Sequence, residues 1–314
     1  MEKALDNLVS ECFGENNTDV THNRVVVKSE LTDALELTVF FNSYYGFNST
    51  STLICGRQNA ILVSATFLIS DAHKLVAGIM ETGKNLTHII IPEFHPDHHF
   101  GAKVLQDAFP GVEIVAAKGV ADDIIRSADD KTQMWGKIFG KNVPEQLLFP
   151  KLLTEDYLEL EGHKLEISEG WQGDVSNETL VWIPSIRAMI PTDMVFYKAY
   201  AFTIESDTAR RELWKDDLEK LKKMAPLIVI PGHAPISGFS TDPSVIDYTI
   251  EYLDYFDEVL SQAKTGDEMI NRVEKKYKLK ALRYILHWHI RFLFPDSCSD
   301  KILPIPGIFR GPGE

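Results

Sequence analysis

The segment from Glu93 to Gly101 concentrates side chains that bind metal ions. Within six positions it carries carboxylate and imidazole donors on Glu93, His95, Asp97 and His98. Proteins use these donors to bind zinc, iron and manganese. The alternative is a polar loop whose histidines cap the following helix, but a cap needs one polar residue and this segment supplies four. We therefore expect a metal site in this segment.

The elements around this segment predict its place in the fold. A continuous apolar run over 87–92 precedes it, and helical spacing begins at Phe100. Strands that are apolar throughout, rather than alternating, are typical of a sheet covered on both faces. Ligands of α/β sheets bind beyond the carboxyl ends of such strands, which is where this segment lies.

Short β-branched and aromatic runs predict a β-rich first quarter, followed by a β-α-β-α-β alternation and by further strands. The predicted strands are 24–28, 35–41, 52–55, 60–63, 87–92, 112–117, 164–168, 179–184, 188–191 and 227–231. Helical spacing covers 71–82, 100–109 and 207–224, and three more helices over 243–294 break near Thr265-Gly266 and Lys278. The polar and aromatic stretch around 120–150 is predicted to form short helices that act as a substrate lid, and a Pro/Gly-rich tail follows at 304–314.

The segment around His95, Asp97 and His98 resembles the first motif of the metallo-β-lactamase superfamily, His-x-His-x-Asp-His. Three later segments resemble further motifs of that family in the right order, so that the resemblance spans residues 51–235. They are Gly170-Trp171-Gln172-Gly173-Asp174, Ile190 to Phe196 with Asp193, and Pro231-Gly232-His233. The resemblance implies an α/β (α+β) fold, a four-layer αββα sandwich with metals at one edge between the two sheets.

The same resemblance implies the domain organisation. A metallo-β-lactamase-like domain would cover residues 1–242, including the lid, and a helical C-terminal extension packed on the same domain would cover 243–314. The extension would cap the active site or form a homodimer surface, and the sequence does not choose between these roles.

Transferred residue by residue, the resemblance implies two metal sites. The first would use Glu93, His95 and Gln172, and the second would use Asp97, His98 and His233, with Asp193 as a bridge. Glu93 and Gln172 stand where the family has histidines, so we expect one good site and one altered or empty site. One or two zinc ions are expected, and the additional carboxylate moves the preference toward iron or manganese.

The implied activity is hydrolysis of a small lactone, lactam, ester or thioester by a metal-bound hydroxide. Asp97 or Asp193 would accept the proton, and Tyr200 would donate a hydrogen bond to the oxyanion. Two alternatives stay open. Glu93 motivates a diiron-type redox or other non-hydrolytic enzyme, since flavodiiron proteins use a carboxylate in this motif. They have it at the second position with histidine first, whereas this chain has the reverse order and no flavodoxin-like segment after the core. A catalytically silent binding protein would have lost the first site.

Several further residues have two interpretations. Asp174 is assigned to a turn, with a substitute ligand near Gln172 as the alternative. His99 either orients a ligand or begins the next helix, and the pattern His287-Trp288-His289 favours core over a substrate wall. The aromatics Trp135, Phe139, Trp171 and Tyr200 favour a partly apolar substrate.

Composition limits the partners. The chain has 314 residues with 46 acidic and 32 basic side chains, a formal net charge of −14, which argues against nucleic acid. No apolar run approaches the roughly 20 residues that a membrane-spanning helix needs, and residues 1–6 lack the apolar core of a signal peptide. Cys12, Cys55 and Cys298 are too few and too scattered for a disulfide scaffold. We expect a cytoplasmic protein that acts on a small molecule.

Overall fold

The computed structural model describes residues 24–303, and these residues form two β-sheets and eight α-helices. Residues 1–23 and 304–314 lie outside the described residues. The predictions for Cys12, for the N-terminal residues that lack the core of a signal peptide and for the C-terminal tail therefore fall outside the structure. The strands are β1 (Arg24–Lys28), β2 (Glu36–Phe41), β3 (Thr50–Cys55), β4 (Asn59–Val63), β5 (Asn85–Ile91), β6 (Glu113–Ala116), β7 (Lys151–Leu152), β8 (Tyr157–Leu160), β9 (His163–Trp171), β10 (Glu178–Ile183), β11 (Ala188–Phe196) and β12 (Ile228–His233).

The helices connect and cover these strands. They are α1 (Ile69–Glu81), α2 (Pro96–His99), α3 (Ala102–Ala108), α4 (Lys118–Phe139), α5 (Thr208–Lys223), α6 (Ser244–Gln262), α7 (Gly266–Tyr277) and α8 (Arg283–Leu293). The last three match the predicted C-terminal helices and their breaks. Within residues 24–303, no helix combines the length and the apolar character needed to cross a membrane.

The first sheet runs in the order β1 to β7, and the second in the order β12-β11-β10-β9-β8. Strands β1 to β4 are antiparallel, whereas β4 to β7 are parallel and are joined by helices. In the second sheet β11 and β12 are parallel across α5, and the other pairs are antiparallel. The predicted β-α-β-α-β alternation is therefore the parallel half of the first sheet.

Strand β4 shows why the two sheets pack face to face. Ile61 and Val63 join a buried cluster with residues of the second sheet such as Val181. Ala60 and Leu62, on the opposite face of the same strand, pack in a second cluster with α1. Because successive side chains of a strand point to opposite faces, an unbroken apolar strand must be covered on both sides.

The outer face of the second sheet is covered in the same way. Met194 and Phe196 of β11 share a third buried cluster with Leu253 and Phe256 of α6 and with Trp214 of α5. Helices therefore cover the outer face of each sheet, and the predicted four-layer αββα sandwich is confirmed.

The predicted lid differs from expectation in its local structure. Residues 118–139 form one helix of 22 residues rather than several short ones. Val120, Ile124 and Ala128 are buried at a spacing of four residues, so a single apolar stripe runs along the helix. Acidic and polar residues between these positions hide the stripe in the sequence.

Two strands were missed. Strands β7 and β8 have two and four residues and lie at sheet edges. Most of their side chains are exposed, so they carry little of the apolar pattern that identifies buried strands.

The turn between β8 and β9 links the two sheets. The Glu161 carboxylate accepts hydrogen bonds from the backbone N–H groups of Arg57 (2.6 Å), Gln58 (2.8 Å) and Asn59 (2.8 Å) in the β3–β4 turn. The N–H groups of Gln58, Asn59 and Arg57 favour the ionised carboxylate and lower the pKa of Glu161 to about 2.

This contact predicts a pH-dependent contribution to stability. The pKa of Glu161 rises from about 2 in the folded protein to its ordinary value of 4.5 on unfolding, so the contribution is present above pH 4.5 and is lost as the pH falls toward 2. Glu161→Gln should lower the midpoint of thermal unfolding at neutral pH, and this deficit should shrink as the pH falls from about 5 to about 3. Circular dichroism melting measures both. Glu159→Gln, at an exposed position of β8, is the control, and a deficit independent of pH would contradict the prediction.

Candidate functional site

The predicted metal ligands meet where strands of both sheets end. Glu93 follows β5, and the short helix α2 begins directly after His95. Asp193 belongs to β11 and His233 is the last residue of β12. The structure brings these residues together with Asp97 and His98, although they come from three separate regions of the sequence.

A first group of donors contains Asp97, His98, Asp193 and His233, whose ligand atoms all lie within 4.8 Å of one another. Asp193 Oδ2 lies between two imidazoles, 2.9 Å from His233 Nε2 and 3.2 Å from His98 Nε2. All four side chains are buried. This is the set that the resemblance implied for the second metal site, with Asp193 at its centre.

A second group contains Glu93, His95 and Asp174, again within 4.8 Å. His95 Nδ1 lies 3.3 Å from Glu93 Oε2 and 3.4 Å from Asp174 Oδ2. Glu93 Oε1 lies 3.2 Å from His98 Nε2, so the two groups are adjacent.

Asp174 lies in the turn between β9 and β10, as the sequence favoured. Its carboxylate lies 3.4 Å from His95 Nδ1, and its role as a substitute ligand stays a prediction. The Gln172 side chain donates a hydrogen bond from Nε2 to the Gly173 carbonyl (2.9 Å), while its backbone N–H donates to Asp217 Oδ2 (2.7 Å). Gln172 as a ligand stays a prediction.

Backbone and side-chain acceptors orient the three imidazoles. His233 donates from Nδ1 to the Phe47 carbonyl at 2.8 Å, which leaves Nε2 facing the first group. His98 Nδ1 shares a hydrogen bond of 3.0 Å with the Ser64 hydroxyl. His95 Nε2 lies 3.4 Å from Glu205 Oε1, which leaves Nδ1 facing the second group. Metal-ligating histidines are held in this way, with the outer nitrogen bonded to a carbonyl or a carboxylate.

Backbone in the left-handed region occurs at residues that support the site. Phe47 (φ 62°) supplies the carbonyl that orients His233, and Ser64 (φ 72°) supplies the hydroxyl beside His98. Thr192 (φ 45°) directly precedes Asp193. Such conformations are costly for residues other than glycine and persist where the surrounding structure imposes them.

Charge complementarity governs ionisation at the first group. Burial lowers the pKa of His98 and His233, but neighbouring carboxylates, Asp193 foremost, outweigh burial and raise these values to about 10 and about 8. Burial opposes ionisation of Asp193 as well, yet His233 and His98 hold its pKa well below the usual range. The charges of Asp193, His98 and His233 therefore compensate one another, whereas burial raises the pKa of Asp97.

The donors fit a metal ion. Buried oxygens without a hydrogen-bond partner among the described residues include Glu93 Oε1, Asp97 Oδ2, Asp193 Oδ1 and both carboxylate oxygens of Asp174. Buried polar atoms without partners are rare and costly in folded proteins. A divalent cation would satisfy these oxygens. Each imidazole would point toward the cation the ring nitrogen that its outer contact does not use.

Glu178, at the start of β10, is a buried acid that sequence reasoning missed. Its side chain is fully buried, and neither carboxyl oxygen has a hydrogen-bond partner in the described part of the chain. Burial, reinforced by the charges of Asp174 and Asp193, raises the pKa of Glu178 well above its usual range. No local motif marks this position, because only the β9–β10 turn brings it to Asp174.

A cavity of about 470 Å³ opens onto both groups of donors. Its floor includes His95, Asp97, Asp174, Asp193 and His233. Its walls are largely apolar and include Phe47, Phe94, Met134, Trp135, Phe202 and Trp288. Helix α4 contributes Ser127, Lys131, Met134 and Trp135, so the segment predicted as a lid forms one wall of the cavity.

Tyr200 lies elsewhere, which corrects its predicted role at the oxyanion. Its side chain is fully buried among aromatic residues, and its hydroxyl accepts a hydrogen bond from the Leu279 backbone N–H at 3.2 Å. Burial raises the pKa of Tyr200 to about 12. The chain after β11 turns into the C-terminal helical layer and takes this side chain away from the cavity lining.

The remaining histidines and aromatics divide between core and cavity. His99 donates from Nε2 to the Phe94 carbonyl (3.1 Å) inside α2 and supports the loop. His287 and His289 are buried and bonded to Glu274 and Thr203, as the core interpretation expected. Trp288, between them, lines the cavity. The Trp171 indole donates to Ser168.

Comparison with known proteins identifies the fold. No protein-family model matches the sequence, and no curated protein matches it. Solved structures do match. A metallo-beta-lactamase from Pontibacter korlensis has a TM-score of 0.54 and 17% identity over 74% of this chain and 99% of its own. The DIM-1 metallo-beta-lactamase gives 0.55 and 18% over 76% and 99%, and TMB-1 gives 0.54 and 16% over 75% and 99%. The chain has the metallo-beta-lactamase fold.

Close packing at Gly232 predicts a test of the first group. A Cβ atom there would overlap Asp193 Oδ1 and the Thr192 carbonyl group. Gly232→Ala should therefore displace Asp193 and weaken the binding of a divalent metal ion, with zinc as the probe, at a cost of about 1–3 kcal/mol in overpacking. Zinc titration and thermal melting measure the two effects. Gly136→Ala on α4, where a Cβ meets open space, is the control, and unchanged zinc affinity in Gly232→Ala would contradict the geometry.

The geometry of the second group predicts that substitutions of Asp174 and Gln172 differ in their effect on metal content. The sequence predicted one good site and one altered or empty site, because Glu93 and Gln172 replace histidines. Since Asp174 lies beside His95 in the second group, we expect instead two metal ions per chain in the unmodified protein, one at each group. Asp174→Asn should reduce this to one, because it removes a carboxylate that lies 3.4 Å from His95 Nδ1. Gln172→Met should leave two ions bound, since its amide bonds to Gly173. The measurement is metal content by mass spectrometry after dialysis. One ion in Gln172→Met and two ions in Asp174→Asn would identify Gln172, rather than Asp174, as the ligand.

Proposed function

We propose that the protein is a metal-dependent hydrolase that cleaves a lactone, lactam, ester or thioester bond of a small molecule. The observation that carries the proposal is the pair of adjacent donor groups, buried beneath a cavity large enough for a small substrate. The fold supports it, because the solved structures compared above, which share this fold, are metallo-beta-lactamases. Cleavage of one or more of these four bond types is part of the proposal and is tested below.

The first group would hold one ion with Asp97, His98, Asp193 and His233, and the second would hold another with Glu93, His95 and Asp174. A divalent cation, zinc foremost, supplies a Lewis acid for the substrate carbonyl and lowers the pKa of water. The carboxylates of both groups also suit iron and manganese.

Asp193 and Asp97 have different proposed roles. Asp193 Oδ2 is engaged by two imidazoles, so Asp193 acts chiefly as an anchor for the centre. Asp97 lines the cavity and its buried Oδ2 has no hydrogen-bond partner among the described residues. Asp97 would hold the ion through one carboxylate oxygen, and we propose that its other carboxylate oxygen accepts the proton of the attacking water.

The cavity walls select the substrate and exclude water. Trp135 of α4 and Trp288 of α8 approach from two different layers of the fold, with Phe47 from the β2–β3 loop. These aromatic side chains favour a partly apolar substrate, whose burial displaces water from the donor groups.

A second candidate function follows from the donor set. Four carboxylates face three imidazoles across the two groups. Carboxylate-rich sites favour iron or manganese, which supports a diiron-type redox enzyme. Metal analysis of protein from medium containing zinc, iron and manganese, with visible absorption and oxygen uptake, separates this candidate from a colourless zinc hydrolase.

Removal of His233 tests the proposed function. His233→Ala takes away an imidazole that contacts both Asp97 and Asp193. We expect the variant to lose the ion of the first group and at least about 100-fold in kcat/KM, as expected when a metal that polarises the carbonyl is lost. The measurements are metal content and hydrolysis of a lactone, a lactam, an ester and a thioester.

The matched control is His73→Ala, at an exposed position of α1. It should retain both metal and activity. An unmodified protein that binds no divalent metal would overturn the proposal. Bound metal without hydrolysis of any of the four substrates would favour the redox enzyme or a catalytically silent binding protein.

A further inference from the structure

One face of α4 presents a cation to the cavity. Ser127, Lys131 and Trp135 follow one another at intervals of four residues, Met134 precedes Trp135, and all four line the cavity. Met134 and Trp135 form an apolar surface, and Lys131 stands one turn before them. A substrate in the cavity would therefore meet an ammonium group beside an apolar wall.

Lys131 has no acidic partner within the described part of the chain. Its Nζ lies 4.2 Å from the centroid of the Phe94 ring, and no carboxylate oxygen among residues 24–303 lies within the 4.0 Å of an ion pair. Burial lowers the pKa of Lys131, and the charges of Glu205 and Glu93, which lie beyond ion-pair distance, oppose this effect. A cation–π contact is worth about 0.5–2 kcal/mol and leaves the hydrogen-bonding capacity of the ammonium group unused.

Two other cations of the same helix are paired. Lys118 contacts Asp122 at 2.5 Å and Arg126 contacts Asp123 at 2.7 Å. Arg126 also lines the cavity, but its guanidinium group is already bonded to that carboxylate. Lys131 is thus the cavity-lining cation of α4 whose charge is not met within the described chain.

We propose that Lys131 binds a carboxylate of the substrate, so that the enzyme selects molecules with an apolar body and an anionic end. This inference rests on the proposed function, since it concerns the same cavity. A single ammonium group matches a monoanion, whereas a phosphate dianion would face Asp97, Asp174 and Glu205 in the same cavity without a second unpaired cation. The carboxylate would lie at the α4 wall and the reacting carbonyl at the donor groups.

Isothermal titration calorimetry with a matched pair of probes tests the proposal. The probes are 4-phenylbutyrate and 4-phenylbutanamide, which differ in charge but little in size, and the protein is loaded with zinc. We expect the unmodified protein to prefer the carboxylate about tenfold, the effect of one charge-assisted contact. Lys131→Met should abolish the preference and Lys131→Arg should retain most of it. Lys137→Met, at an exposed position of α4, should behave as the unmodified protein.

Every other pattern overturns the proposal. A preference that survives in Lys131→Met would place the carboxylate on the metal centre, and no preference or no binding in the unmodified protein would remove the role of Lys131. Zinc content measured in the same samples distinguishes the two proposals. If no zinc is bound, the hydrolase proposal fails, while the difference between the probes still reports on Lys131.

Kinetics supply a second measurement. For 4-nitrophenyl hemiglutarate and 4-nitrophenyl pentanoate, Lys131→Met should raise KM about tenfold for the anionic ester alone and leave kcat within about twofold. An equal change for both esters would assign Lys131 a structural role. If neither ester is cleaved, esters are excluded as substrates and the calorimetry decides on Lys131.

Discussion

Burial of many ionisable groups in one small volume is the constraint on which the site depends. Four carboxylates and three imidazoles lie within two adjacent groups, all of them buried. Removing such charges from water costs several kcal/mol for each ion unless an opposite charge compensates it. Asp193 is compensated by His98 and His233, which explains why the pKa of each imidazole rises despite burial. A divalent cation would meet the remaining requirement, because it would bind the buried carboxylate oxygens that lack a hydrogen-bond partner among the described residues.

The backbone around the site is arranged to keep this cluster in place. Parallel pairing of β11 and β12 brings Gly232 so close to Asp193 that no side chain fits between them. Phe47 and Ser64 adopt left-handed conformations while they supply the outer contacts of His233 and His98. The energetic cost of these conformations is offset by the three hydrophobic clusters that hold the four layers together.

The sequence predicted the elements whose apolar pattern is long and continuous. Strands β4 and β5 and helix α6 follow this rule, since each buries enough apolar surface to mark its period. Strands β7 and β8 were not predicted, because exposed edge strands carry no such pattern. Helix α4 was predicted as several short helices, because polar residues separate the apolar positions of its buried stripe. Local pattern therefore reports burial, and it is weakest where an element is half exposed.

The same distinction applies to the site. The sequence alone determined the first motif, from Glu93 to His98, because its donors lie within six positions on one strand-to-helix connection. Resemblance added Asp193 and His233, which follow recognisable segments. Only the tertiary structure decided that Asp174 faces His95, that Tyr200 belongs to the core and that Lys131 faces the cavity. These are ordinary residues on separate elements, and their chemistry depends on the packing of distant parts of the chain, which no local spacing encodes.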